Sequence, residues 1–208
     1  MPNIQDKSTD LGIDFPRAKK LLDEYVKGQV NRMHCIESEA IMRALAGHFG
    51  RNAEEWGIIG LLHDIDWEMT KDDTKLHCIK TAEILRKNGG TEYLIRTIQS
   101  HGYGQESGGI YSGPPEFLGK KREGPVEHAL AAAETLTGLI IATALVQPDK
   151  KLGSVRPESL LKKFKSKSFA ANCHRDIIME CEEIGIPLEQ FLEIGLKALQ
   201  EIHIELGL

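Results

Sequence analysis

The chain has 208 residues, a net charge of −5 at pH 7 and a pI near 5.9. Apolar residues make up 41% and charged residues 27%, which is typical of a soluble globular domain with a buried core. The acidic balance gives no electrostatic reason to expect nucleic acid or an anionic membrane surface as a partner. The four cysteines form no C-x-x-C pair and the N-terminus is polar, so the sequence predicts a reduced, cytoplasmic protein without a targeting peptide.

The first half of the chain carries five helical patterns after a loosely ordered lead-in over residues 1–15. The helices are predicted over about 16–27, 32–48, 53–63, 74–87 and 91–100. The third begins where Asn52 is followed by Glu55, which is a capping box, and it ends at an inward-facing His63. A polar loop containing Asp66, Asp72 and Asp73 is predicted to follow it.

The second half contains a Gly-rich stretch, a long apolar helix and three C-terminal helix candidates. Residues 102–124 are predicted to form a lid or binding loop, because structureless segments of this length are uncommon in compact domains. Pro125 opens a helix to about Val146 that is apolar on most sides, with Glu134 in its middle. Further helices are predicted from Pro157, over about 172–184, and from Pro187. No stretch alternates with period two and no apolar run is judged long enough to span a membrane, so the predicted fold is all-α.

Histidines and carboxylates recur at helix ends and on inward helix faces. They are His34, His63, Asp64, His77, His101 and Glu134, and each comes from a different predicted helix apart from the adjacent pair. Side chains of facing helices converge in this way on the central sites of helical bundles. Imidazole nitrogens and carboxylate oxygens are ligands that divalent transition metals accept. Four of these side chains would hold one metal ion and six would hold two, with Asp64 placed to bridge them.

The order His, His-Asp, His, His, acid resembles that of the HD-domain superfamily of metal-dependent phosphohydrolases, over roughly residues 30–145. The segment from His77 through residues 82–85 to His101 and Gly102 is similar to the middle segment of the binuclear members. The resemblance implies an HD-type helical bundle over about 30–146, with a C-terminal helical extension over about 154–208 of the same single domain. Two positions depart from the family pattern: Glu134 replaces an aspartate, and Asp66 begins a segment that lacks the frequent glycine-lysine.

The resemblance further implies that His34 is the first ligand, His63 and Asp64 the namesake pair, and His77 and His101 the two additional histidines of binuclear members, with Glu134 as the final acid. The implied cofactors are one or two divalent transition metals such as iron, manganese or nickel. The implied reaction is hydrolysis of a nucleotide or other small phosphate ester by a metal-activated hydroxide, since a bound metal lowers the pKa of water to about 7. Asp64 and His128 are the candidate catalytic residues, with His128 as the acid for the leaving group.

Two other functions remain open from the sequence. One is a non-catalytic HD-type module that binds a ligand or metal without turnover. The other is an HD-type diiron oxygenase, because some HD-type proteins use the same ligands for oxygen chemistry. The expected partner is a small phosphorylated substrate, with no nucleic acid and no membrane, and a homo-oligomer is possible. His174 is predicted to be a surface or packing residue.

Overall fold

The computed structural model describes residues 10–104 and 113–208 as a bundle of helices. The helices are α1 (Phe15–Tyr25), α2 (Gln29–His48), α3 (Ala53–Leu62), α4 (Trp67–Thr70), α5 (Ile79–Lys87), α6 (Glu92–Gln99), α7 (Pro125–Leu145), α8 (Pro157–Lys165), α9 (Arg175–Ile178), α10 (Leu188–Glu201) and α11 (His203–Leu206). The described residues contain no β-strand, so the predicted all-α fold is confirmed. The first nine residues of the predicted lead-in over residues 1–15 and the middle of the predicted loop, residues 105–112, lie outside the described residues.

Local sequence signals explain several helix starts. The side chain of Asn52 accepts hydrogen bonds from the backbone N–H groups of Glu54 and Glu55, which confirms the predicted N-terminus of α3. Proline occupies the first turn of α1, α7 and α8, where a missing N–H costs nothing. The strongest helix boundaries in the sequence are therefore also boundaries in the fold.

α7 is the central helix of the bundle. Ala132, Leu136 and Ile140 of this helix are fully buried, and α2, α8 and α10 all pack against it. Phe191 and Leu199 of α10 belong to the same hydrophobic cluster as the residues of α2, α3 and α7. The C-terminal helices therefore share one core with the helices that carry the predicted metal ligands.

α7 is also long and apolar enough to cross a membrane by length and composition. This corrects the expectation that no apolar run reaches that length. Within its most apolar window, 67% of the helix is buried inside the fold. A helix that is hydrophobic nearly all round is equally what the core of a globular bundle requires, so its composition alone does not indicate a span.

Two predicted helices are broken in the structure. Residues Thr74–Leu76 form a 3-10 turn, His77 is extended with ψ 140°, and Cys78 has φ 65°, so α5 begins only at Ile79. The break directs the adjacent side chains of His77 and Cys78 towards the same histidine, His101. The predicted helix over 172–184 is likewise reduced to the four residues of α9 and a following 3-10 turn.

Gly60 allows α2 and α3, the most extensively packed helix pair, to approach closely. A Cβ atom at Gly60 would lie 2.7 Å from the backbone oxygen of Ser38 in α2.

We expect Gly60→Ala to lower the free energy of unfolding by about 1–3 kcal/mol, because one of two packed backbones must move. Urea unfolding measures this change. Gly47→Ala is the matched control, since nothing lies within 4 Å of its added Cβ, and it should stabilise α2 by about 0.5–1 kcal/mol. Equal effects of the two substitutions would contradict the packing explanation.

Candidate metal centre

His34 of α2 and His63, which directly follows α3, face each other across the helix pair. Their Nε2 atoms are 3.0 Å apart. Oε2 of Glu134, from α7, lies 3.9 Å from Nε2 of His34. These three side chains each place one ligand atom within 4.8 Å of the other two, and we call this group the first position.

A second histidine pair lies next to the first. The Nε2 atoms of His77 and His101 are also 3.0 Å apart, and the ring of His101 lies 5.0 Å from the ring of His63. Oδ1 of Asp64 lies 3.4 Å from both of these Nε2 atoms. We call His77, His101 and Asp64 the second position.

Asp64 belongs to both positions. Its Oδ1 atom lies 3.7 Å from Nε2 of His63, and its Oδ2 atom lies 3.8 Å from Nε2 of His34. The structure therefore brings all six predicted ligands into one centre, with a single carboxylate between two histidine pairs.

Hydrogen bonds to backbone carbonyls orient two of the four rings. Nδ1 of His63 donates to the oxygen of Gly60 at 2.8 Å, and Nδ1 of His101 donates to the oxygen of Ile98 at 2.6 Å. A carbonyl can only accept, so both rings carry a proton on Nδ1 and direct Nε2 to the centre. This arrangement of the outer nitrogen is typical of histidines that ligate metals.

His34 is oriented through a hydroxyl group of α7. Its Nδ1 lies 3.0 Å from Oγ1 of Thr137, whose hydroxyl donates to the backbone oxygen of Glu134 at 2.7 Å. Because the threonine proton is used in that bond, its oxygen accepts the Nδ1 proton of His34. Nε2 of His34 therefore also directs a lone pair to the first position.

The chemistry of this donor set fits divalent metal ions. Two nitrogen lone pairs that face each other at 3.0 Å repel, unless a cation lies between them. Two nitrogens at about 2.1 Å from one ion, and at a right angle, are about 3.0 Å apart. Neutral imidazoles combined with carboxylates suit the middle of the first transition row.

The charges of the centre depend on its burial and on its own members. Burial lowers the pKa of His63 to about 3, so this ring is neutral. Burial opposes ionisation of Asp64, but His63, together with the other histidines, outweighs burial and holds its pKa well below the usual range. Burial likewise lowers the pKa of His77, but its hydrogen bonds to Asp66 and Cys78 overcome this and raise it to about 10. In the absence of metal, a proton therefore occupies the second position, and a metal ion would displace it.

Asp66, which the sequence pattern places in a polar loop, is instead the hydrogen-bond partner of a candidate ligand. Its side chain is fully buried. Oδ1 accepts from Nδ1 of His77 at 2.8 Å, and Oδ2 accepts from the backbone N–H of Thr81 at 2.9 Å. The position of Asp66, two residues after Asp64, is the sequence feature that could have indicated its proximity to the ligands.

We expect Asp66→Asn to weaken metal binding at the second position about 10- to 100-fold, because the outer partner of His77 loses its charge. Calorimetric titration of metal into apoprotein measures the two affinities separately. Asp73→Asn is the control, since Asp73 is an exposed carboxylate in the same segment. An Asp66→Asn protein with unchanged affinity would show that Asp66 acts on packing alone.

His128 does not join the six ligands directly. Its Nδ1 lies 2.7 Å from Oε2 of Glu180, and the other oxygen of Glu180 accepts from Arg122 at 2.8 Å. Arg122 also donates to the backbone oxygens of His101 and Tyr103, both at 3.1 Å. A chain of polar contacts therefore runs from His128 to the backbone of a predicted ligand. Glu180 belongs to the C-terminal segment, and no local pattern marked it in the sequence.

Cys78 lies beside the second position. Its Sγ is 3.7 Å from Nε2 and 3.9 Å from Nδ1 of His101. Nearly equal distances to the two ring nitrogens place the sulfur beside the ring, and not along the Nε2 lone pair. Burial opposes thiolate formation, but His101 and His77 outweigh burial and lower the pKa of Cys78.

A cavity of about 270 Å³ opens beside the first position. His34 and Glu134 line one side, with Thr135, Thr137 and Gly138 of α7. The opposite side is formed by residues 172–174 and Ile177 of the C-terminal segment. The side chain of His174 therefore lines a cavity at the metal centre, whereas the sequence placed it only on the surface or in packing.

Glu37 is a buried carboxyl group of α2, one helical turn from His34. It is 7% exposed, and burial raises its pKa to about 7 against the opposing effect of His34. The native protein therefore holds this proton up to a higher pH than the unfolded chain. Stability from this group is present below the unfolded pKa of about 4.5 and is lost as the pH rises through 7.

We expect Glu37→Gln to stabilise the protein at pH 8 relative to wild type, by on the order of 2–3 kcal/mol, and much less at pH 5. Urea unfolding of both proteins in the presence of a chelator measures the difference in their free energies of unfolding. The histidines titrate in both proteins, so their contributions cancel in this difference. Glu193→Gln on the exposed face of α10 should show no pH-dependent difference from wild type. A constant gain at both pH values would mean that the pKa of Glu37 is the same in the native and the unfolded protein.

Fold and site together define an all-α protein with two histidine pairs joined by a shared aspartate. Residues 32–144 match the HD domain family, which is more than half of the chain, and the chain belongs to this family. Ribonuclease Y of Mesoplasma florum is 34% identical over 74 residues, a match that covers 36% of this chain and 15% of that protein. No solved structure matches the chain.

Proposed function

We propose that this protein is a metal-dependent phosphohydrolase that acts on a small phosphate ester. The observation that carries the proposal is the sharing of Asp64 between two histidine pairs, in each of which the two Nε2 atoms are 3.0 Å apart. HD domains bind divalent metals, and the donor set of this chain fits them. When bound, such ions supply a hydroxide nucleophile at neutral pH and neutralise the charge of the phosphoryl group.

The residues of the chain have three roles in this proposal. The histidine pairs and Glu134 would hold the ions, and Asp64, which lies between the two pairs, would contribute its carboxylate to both positions. Glu180 accepts the Nδ1 proton of His128 and orients its ring, as a carboxylate partner does for a catalytic histidine. The other ring nitrogen, Nε2, is left for the leaving-group oxygen, which makes His128 the proposed general acid.

The proposal is tested by metal analysis combined with a substrate panel. The purified protein should contain one or two equivalents of transition metal and should release phosphate from some member of a panel of sugar phosphates and nucleotides. A protein with His63→Ala and Asp64→Ala should do neither. A short RNA belongs in the panel because of the similarity to Ribonuclease Y.

The alternatives give different results in the same experiment. Near-zero metal with no uptake on titration would overturn the proposal. Metal without turnover, together with tight binding of a phosphorylated ligand, would indicate a non-catalytic module. Oxygen consumption that depends on an organic substrate would indicate a diiron oxygenase.

A further inference from the structure

One wall of the cavity at the metal centre comes from outside the family region. The HD match ends at residue 144, whereas Asn172, Cys173 and His174 line the cavity opposite His34 and Glu134. This wall is therefore specific to the C-terminal extension of this chain. A substrate group that extends from the candidate metal ligands into the cavity would therefore contact these residues.

The wall belongs to a loop, residues 166–174, that is folded around one side chain. Arg175 donates through Nε to the backbone oxygen of Phe164 at 3.0 Å. Its Nη1 donates to the oxygens of Ala170 and Cys173, and its Nη2 donates to those of Phe169 and Ser166. Every N–H of the guanidinium thus has a backbone acceptor, and these hydrogen bonds fix the conformation of the loop. It holds Ala170 at a φ of 45°, a conformation that non-glycine residues rarely adopt.

The loop is seated directly on α7. A Cβ atom at Gly138 would lie 2.9 Å from Sγ of Cys173, so the glycine makes room for the loop next to Thr137 and Glu134. Asn172 and His174 flank Cys173 and are exposed, and neither side chain hydrogen-bonds another described residue. Both can therefore hydrogen-bond a ligand in the cavity.

The lining indicates the chemistry of the ligand. Among the described residues, no phenylalanine, tyrosine or tryptophan lines the cavity, so a nucleobase finds no aromatic hydrocarbon surface to stack on. Thr135, Asn172 and His174 offer donors and acceptors that suit hydroxyl groups. The volume of about 270 Å³ is at the lower limit of small-molecule sites and suits a small organic group.

We propose that loop 166–174, positioned by Arg175, selects the substrate by binding the hydroxyl-bearing organic group of a small phosphate monoester, such as a polyol or sugar phosphate. The inference rests on the proposed phosphohydrolase function and assigns the substrate class of the same site. Asn172 and His174 are the specificity-determining residues, and Arg175 is a positioning residue.

The test compares two substrates of the metal-loaded protein, glycerol phosphate and p-nitrophenyl phosphate, of which only the first has hydroxyl groups on its organic part. Asn172→Ala combined with His174→Ala should raise KM for glycerol phosphate about tenfold and change kcat less than about twofold, because neutral hydrogen bonds to the ground state are lost. KM for p-nitrophenyl phosphate and inhibition by inorganic phosphate should stay unchanged. Arg175→Lys should reproduce the KM effect, because a lysine cannot bond the same carbonyls.

Two controls distinguish a failure of this inference from a failure of the proposed phosphohydrolase function. Lys167→Ala changes an exposed member of the same loop and should leave both substrates unaffected. Metal content of every loop variant should equal that of wild type. Equal KM changes for both substrates, or a wild-type preference for nucleotides or RNA over glycerol and sugar phosphates, would overturn the inference while leaving the phosphohydrolase intact. Failure of the wild type to hydrolyse any phosphate ester would overturn the function itself.

Discussion

Asp64→Asn is expected to remove metal from both positions and to abolish phosphate release. The carboxylate lies 3.4 Å from the two Nε2 atoms of the second pair and 3.7–3.8 Å from those of the first. An amide keeps its shape but loses the negative charge that offsets two divalent ions. We expect the metal affinity to fall more than about 100-fold at each position, since losing a group that only hydrogen-bonds a ligand already lowers affinity about 10- to 100-fold.

Glu134→Gln is the matched comparison, because Glu134 contacts the first position alone. Its Oε2 lies 3.9 Å from Nε2 of His34, and its Oε1 accepts from the hydroxyl of Thr135. This variant should lose the first equivalent of metal and keep the second. Metal content measured by plasma emission spectroscopy, with calorimetric titration of the apoproteins, separates the two patterns. Full retention of one equivalent by Asp64→Asn would contradict a shared ligand.

The candidate ligands could be selected from the sequence, because several of them lie at features that periodicity reveals. His63 follows the last turn of a capped helix, and Glu134 is a carboxylate within an otherwise apolar helix. Such positions are informative, since a charged group among buried alanines and leucines needs a compensating partner. The HD family resemblance supplied the order that joined them, and the match of residues 32–144 confirms the family.

The outer partners could not be predicted in the same way. Asp66 was assigned to a loop because acidic residues near Asp72 and Asp73 are usually solvated, yet the break before α5 buries it against His77. That break depends on Cys78 with φ 65°, a conformation that no residue preference predicts for cysteine. The contact is tertiary, and only the packing of the segment reveals it.

Contacts between residues that are far apart in the sequence could not be predicted from local patterns either. Glu180 is 52 residues from His128 in sequence, and loop 166–174 reaches α7 through a glycine at 138. Neither segment has a motif, and both lie outside the family region. The candidate metal ligands therefore lie within the family core, whereas the C-terminal extension supplies the hydrogen-bond partner of His128 and one wall of the cavity. We infer that chemistry and substrate choice are encoded in different parts of this chain.

His128→Ala is expected to lower kcat for an alkyl phosphate such as glycerol phosphate by about 10²–10⁴-fold, the usual contribution of a positioned acid. The same variant should lose little activity towards p-nitrophenyl phosphate, because its leaving group departs without a proton. Metal content should stay at the wild-type level, since His128 hydrogen-bonds Glu180 and not a ligand side chain. Steady-state kinetics with the two substrates measures the contrast.

Glu180→Gln extends the argument from the acid to its partner. The amide can still accept from Nδ1 of His128, but it no longer offers a charge to the protonated ring or to Arg122. We expect a loss of about tenfold in kcat for the alkyl ester and little loss for p-nitrophenyl phosphate, because the hydrogen bond to a neutral amide is weaker than that to a carboxylate and holds the ring less firmly. Equal losses on both esters would assign the His128–Glu180 pair to structure. The leaving-group proton would then come from elsewhere in the centre.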